Sequence, residues 1–220
     1  MNGVIGDILP MALGVAISPI PIIAAILMLF SARATGASLG MLVGWILGIV
    51  LVTAIFTAVS GSLQAGGEPS SARSWTKIVL GGLLLSVGAR NWRARGGVHE
   101  TPKWMAAIDS FTPAKALGLG FLLAAVNPKN LLLGIAAGVA IGGAGISVGQ
   151  EAVAIAVFTV IAASTVAVPV VGYLFAADRM RGPLDRLKAW LQQNNATVMA
   201  VLFVVFGFVL IGQSIQSLSA

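Results

Sequence analysis

The chain has 220 residues, 58% of them hydrophobic and 9% charged, with a mean hydropathy of +0.98. Soluble domains sit at about half apolar and about a quarter charged, so this chain cannot cover its surface with polar groups in water, and a soluble catalytic domain is excluded. Its 13 Lys and Arg against 7 Asp and Glu give a net charge of +6, which in a membrane protein reads as loop topology and not as nucleic-acid binding.

Cysteine is absent, which excludes disulfides, thiolate metal sites and thiol relays. The single histidine, His99, lies in a polar loop beside Gly96 and Gly97. One histidine without cysteine is a poor donor set for zinc or haem, and no cofactor is expected.

A membrane span needs roughly 20 mostly apolar residues, and six such segments follow in chain order. The stretch Met1 to Asp7 carries no basic residue, so it reads as the lead into the first span and not as a signal peptide. The first span is expected from about Ile8 to Phe30, the second from about Leu39 to Val59, and the third, short and glycine-rich, from about Lys77 to Ala89. The fourth is expected from about Leu117 to Ile141, the fifth from about Glu151 to Ala176, and the sixth from about Ala196 to Ile215. This is an all-α integral membrane fold.

Charge placement supports the count. The first interspan loop holds Arg33; the third holds Arg90, Arg93, Arg95, Lys103 and Lys115; the fifth holds Arg179, Arg181, Arg186 and Lys188. The second holds only Arg73 and Lys77, and the fourth holds none. The positive-inside rule therefore places the odd loops in the cytoplasm and both termini outside, with the chain in the inner membrane. Trp75, Trp92, Trp104 and Trp190 fall near expected membrane–water boundaries, where indole is favoured, whereas Trp45 falls inside a span and reads as packing. In the third loop, Thr101-Pro102 starts a helical pattern that puts Trp104, Ile108 and Phe111 on one face. It reads equally as an interfacial helix or as a surface helix joining two halves.

Two spans are interrupted. The first reads Gly14-Val15-Ala16-Ile17-Ser18-Pro19-Ile20-Pro21, and the fourth reads Ala124-Ala125-Val126-Asn127-Pro128-Lys129-Asn130. Proline removes a backbone donor and clashes with the preceding turn, so each helix should open there. Carbonyls freed in lipid must meet protein or a water-lined cavity, and Ser18 and Asn127 are side chains able to bind such groups. Each interrupted span is the first of a three-span half, which is the pattern of an inverted repeat with a midplane site. The organisation is then a 3+3 inverted repeat: residues 1–95, a linker at 96–115, and residues 116–220. The plainer reading of either interruption is a kink; the matched pair favours a site.

Lys129 lies 14 residues beyond Lys115, roughly 21 Å at helical rise. A lysine that deep costs at least about 2.5–3.5 kcal/mol on insertion scales, so it should meet a carboxylate, a freed carbonyl or an anionic ligand. Asp7 and Glu151 are candidate coupling carboxylates, and also ordinary interfacial charges at helix ends. Gly40, Gly44 and Gly48, and likewise Gly134, Gly138 and Gly142, repeat at four-residue spacing. Such faces allow close helix approach, within one chain or in a homodimer. Gly142 to Gly145 reads as an outer turn, Gly66 to Ser71 as a loop, and Pro169 as a possible kink in the fifth span.

The proline-broken first span and the Asn-Pro-Lys of the fourth resemble the lysine exporter (LysE-type) superfamily. More narrowly, Ser18-Pro19-Ile20-Pro21, Trp104 with Ile108-Asp109, and Asn127-Pro128-Lys129-Asn130-Leu131 resemble the glycopeptidolipid- and sulfolipid-addressing (GAP/Sap-like) family over nearly the whole chain. The resemblance implies export of an envelope glycolipid or other anionic amphiphile, with Ser18, Pro19, Pro21, Asn127, Pro128, Lys129 and Asn130 at the substrate site and with envelope-lipid synthesis or export machinery as partner. The superfamily's amino-acid exporters carry Pro-Gly-Pro where this chain has Ser-Pro-Ile-Pro, which weakens an amino-acid substrate. The alternatives are export of a small solute (an amino acid or a cation) and a non-transporting scaffold. An enzyme is not expected, although a Ser18–Lys129 pair would have the elements of a nucleophile and base.

Overall fold

The computed structural model describes residues 1–65, 70–94 and 107–219. Among the described residues every regular element is helical. Helix α1 spans Asn2–Ala16, α2 Pro19–Leu29, α3 Ala34–Ala65 and α4 Ser70–Ala94. A 3-10 turn at Ile108–Ser110 leads to α5, Pro113–Ala125, then α6, Pro128–Gly142, and α7, Val148–Ser219.

The breaks fall where the prolines are. α1 and α2 meet at 50°, and α5 and α6 at 63°. Each second helix begins on its proline, where the missing N–H is an orphan donor anyway and φ is preset. Thr112 caps α5 by accepting from the Lys115 amide at 3.3 Å, and Asn127 caps α6 by accepting from the Lys129 amide at 3.1 Å. Past α6 the chain turns through Gly145, whose φ of +63° suits glycine.

Among the described residues, two helices are long and apolar enough to cross a membrane, Ala34–Ser62 within α3 and Val148–Gly212 within α7, or up to four if each bent pair is one span. α3 exposes Leu39, Val43, Leu47, Leu51, Ile55 and Val59, a stripe at four-residue spacing that only lipid would favour. Its opposite face is buried, with Trp45 in the core as expected of a packing residue.

Both glycine rows are interhelical packing inside this one chain. A Cβ at Gly40 would meet the Pro113 carbonyl, one at Gly44 the Leu117 carbonyl, and one at Gly48 the Ala124 Cβ at 2.6 Å. Gly134 lies against Val52, Gly138 against Thr53 and Phe56, and Gly142 against Thr57. Partner numbers rise together along both segments, so α3 runs parallel to the bent α5–α6 pair. In contrast, Gly81 meets Ile211 and Gly88 meets Phe203, so α4 runs antiparallel to the C-terminal part of α7.

The structure bears on three further expectations. The third span, expected over Lys77–Ala89, falls within α4, which is longer at 25 residues. The fifth interspan loop is helical: α7 runs from Val148 to Ser219 with one non-helical residue, Ala176, at φ −148° and ψ 48°. Its polar middle stays helical because Leu184 and Leu191, one heptad apart, are buried, and because Lys188 reaches Asp185 across one turn at 2.6 Å. Of the expected third-loop helix, Thr101 to Ala106 lie outside the described residues, as do His99, Arg95 and Gly66 to Pro69. The described remainder is the 3-10 turn, with Ile108 buried against the core.

Candidate functional site

Interrupting α1 strips donors from its last carbonyls. Pro19 and Pro21 carry no N–H, so the carbonyls of Val15 and Ile17 lose their helical partners by construction. Two side chains from distant parts of the sequence fill this helix end. Lys129 Nζ donates to Gly14 O at 2.6 Å and to Ile17 O at 3.4 Å. Thr165 Oγ1, from α7, donates to Ala16 O at 2.5 Å. The Leu13 carbonyl keeps its helical bond from the Ile17 amide at 2.9 Å.

The second break is filled in a similar way. Pro128 offers no donor to α5, and Asn130 Nδ2 donates to Leu123 O at 3.0 Å. The same amide reaches Ser18 Oγ at 3.4 Å. The first turn of α6 thus supplies adjacent residues that close both broken helix ends, Lys129 on α1 and Asn130 on α5.

Lys129 is 1% exposed and among the largest fully buried side chains of the described residues. The C-terminal end of α1 presents the negative end of a helix dipole, which suits an ammonium. Of the groups foreseen as partners, the freed carbonyls are the ones used; the ammonium carries three donors, and two meet α1. Gly14 also leaves room for close packing against α6 and α7, since a Cβ there would lie 2.7 Å from Leu133 and from the Phe206 ring.

The predicted site residues divide cleanly. Ser18, Lys129 and Asn130 are buried together at the junction, with Pro19 and Pro21 buried beside them in α2. Asn127 is half-buried and Pro128 exposed, and both shape the start of α6. Asn127 and Ser18 do not hold the freed carbonyls as expected. An Asn127 oxygen accepts and so serves an amide, while the Ser18 hydroxyl is the acceptor of Asn130. Asp7 is exposed early in α1, and Glu151 lies in the first turn of α7, where an acid complements the helix dipole; neither is bonded to Lys129. Thr165 was missed, although a Ser164-Thr165 pair in the middle of an apolar span is a signal that could have found it.

Beside the junction lies a cavity of about 10 Å³ bordered by Val15, Thr53, Asn130 and Phe158, room for a single water. Asn130 Oδ1 is buried there without a protein partner, and Trp45 Nε1 and Thr159 Oγ1 are likewise buried and unpaired. The junction is therefore closed, polar and tightly packed.

Comparison with curated proteins and with solved structures finds no match. Residues 8–216 match the family described as Sap, sulfolipid-1-addressing protein, and with nearly the whole sequence covered, the chain belongs to that family.

Proposed function

We propose that the chain is an exporter of an envelope lipid, a glycolipid or another amphiphile with an anionic group, working around the junction of its two broken helices. The observation that carries this reading is Lys129, a buried ammonium held by the carbonyls of α1. An anionic headgroup arriving at the break offers that ammonium a stronger acceptor than two neutral carbonyls. Exchange of partners would release α1 from α6, and the halves could then rock around the site. Family membership supports a lipid as cargo, since the family description names the addressing of a sulfolipid.

The reading includes six spans in the inner membrane, with both termini outside and the bent pairs as first and fourth spans. Support comes from the parallel course of α3 and α5–α6 and the antiparallel course of α4 and the end of α7, as alternating spans require. It also comes from the break at Ala176, because 65 residues of helix would measure about 98 Å, three bilayer cores, if straight. An inverted repeat within a LysE-type fold accounts for two proline breaks meeting at one junction. The chemistry is transport and not catalysis on this reading, and it is supported by Lys129 bonding to carbonyls while Ser18 pairs with Asn130.

A scaffold for lipid synthesis or export is the second reading. It is favoured by the internal pairing of Lys129 and the small size of the neighbouring cavity. Cells lacking the chain, complemented with wild type or with Lys129→Ala, separate the two. Export through the junction predicts that a surface lipid lost in the deletion returns only with wild type. Return with both versions would leave the scaffold and reject the junction.

A further inference from the structure

The small cavity beside the junction is chemically unbalanced. Apolar side chains enclose it, Val15 of α1, Ile49 and Val52 of α3 and Phe158 of α7, and two polar side chains border it, Thr53 and Asn130. Asn130 is 3% exposed, and its Oδ1 is buried without a protein partner. The orientation of this amide is fixed by chemistry: Nδ2 donates to Leu123 O at 3.0 Å, and exchanging the two atoms would set oxygen against oxygen. Thr53 is fully buried, and its hydroxyl gives its proton to Ile49 O at 2.9 Å. A Cβ on Gly134, which also borders the cavity, would lie 4.0 Å from Thr53 Oγ1, so this oxygen lies at the α3–α6 interface with lone pairs still able to accept.

Both polar side chains therefore present acceptors. Neither has a hydrogen to offer the other, since the Asn130 amide spends its two on Leu123 O and Ser18 Oγ. An occupant must supply two hydrogens and fit about 10 Å³, the space of one water. A metal cation meets the size and not the chemistry. Two neutral oxygens are few against the six or so that a hard cation collects, and the ammonium of Lys129, the preceding residue, repels it. A dry cavity would leave the Asn130 acceptor desolvated and unpaired.

We infer that this cavity is a binding site for a single water, which donates to Asn130 Oδ1 and to Thr53 Oγ1 and fastens α3 to the junction of the two broken helices. Asn130 then acts in three directions. Its amide nitrogen reaches Leu123 at the end of α5 and Ser18 between α1 and α2, and its oxygen reaches α3 through the water. A bridging water is nearly as good a partner as a direct bond, and it can follow either acceptor when the helices shift. The assignment stands on the geometry of Asn130 and Thr53 and holds whether or not cargo passes the junction.

X-ray radiolytic labelling of the full chain in detergent tests it. Radiolysis turns a bound water into a hydroxyl radical, which hydroxylates a reactive ring beside it and is read by mass spectrometry. Phe158, 1% exposed, borders the cavity; Phe203, 3% exposed and off its border, is the control. Wild type should be labelled at Phe158 and not at Phe203. Thr53→Val keeps the side-chain volume and removes one acceptor, leaving fewer than the two polar partners a buried water needs, so the Phe158 label should be lost. Thr53→Ser should restore it. Unfolding would raise labelling at both rings, so loss of fold cannot imitate loss of the water. An unlabelled Phe158 in wild type, or an equal label in Thr53→Val with Phe203 still unlabelled, would overturn the site. A Phe158 label suppressed in sodium chloride and retained in choline chloride would assign the cavity to a cation and overturn the water.

Discussion

Replacing Lys129 by methionine separates the role of its charge from the role of its volume. Removing the buried ammonium relieves an intramembrane penalty of at least about 2.5–3.5 kcal/mol. It also leaves Gly14 O and Ile17 O without their donor, at about 1–3 kcal/mol for each buried acceptor. Methionine has nearly the length of lysine, so little cavity opens. The opposing terms cancel to within about 3 kcal/mol, which for a chain of this size is a shift in melting temperature of about 10 °C or less. Lys129→Ala adds a cavity on top of the same changes, a further loss of about 2–5 kcal/mol. Thermal unfolding of the detergent-solubilised variants, followed by tryptophan fluorescence, reads both. Lys129→Met should melt near wild type and well above Lys129→Ala while failing to export. If the two variants melt together, far below wild type, the ammonium–carbonyl bonds dominate the burial penalty and the energetic account of the junction is wrong.

Other perturbations test other parts of the structure. Thr165→Val leaves the Ala16 carbonyl without its donor and should lower stability by about 1–3 kcal/mol; Thr165→Ser should recover it in the same melting assay. Asn127→Ala removes the cap of α6 and should cost about 0.5–2 kcal/mol, measurable as a lower melting temperature. Gly44→Val drives a side chain into the Leu117 carbonyl, whereas a Cβ at Gly82 meets nothing within 4 Å. Gel filtration should therefore recover little folded Gly44→Val and normal amounts of Gly82→Ala.

Much of this was legible in the sequence because its signals are strong and local. The breaks at Pro19 and Pro128 are where proline chemistry puts them, and both glycine rows became close helix contacts. The need of Lys129 for a partner followed from the cost of burying a charge. Which partner it takes was not legible. Gly14 is 115 positions away, and backbone carbonyls carry no sequence signature. The helical stretch from Asp178 to Gln193 was hidden by its polarity, since its helicity depends on Leu184 and Leu191 finding a core and not on local hydropathy. Thr165 was overlooked for a related reason: a hydroxyl in an apolar span usually bonds its own preceding turn, as Ser164 does to the Ile161 carbonyl, and only the tertiary fold turns Thr165 toward α1.

The most direct measurement is movement of labelled lipid across proteoliposomes that contain this chain alone. Fluorescent lipids of matched chain length, one with an anionic and one with a zwitterionic headgroup, are scored by their accessibility to a membrane-impermeant quencher. The account predicts that wild type accelerates exchange of the anionic lipid selectively, and that Lys129→Met, folded to the same extent, does not. Exchange at the rate of protein-free liposomes, or equal exchange by wild type and Lys129→Met, would contradict it.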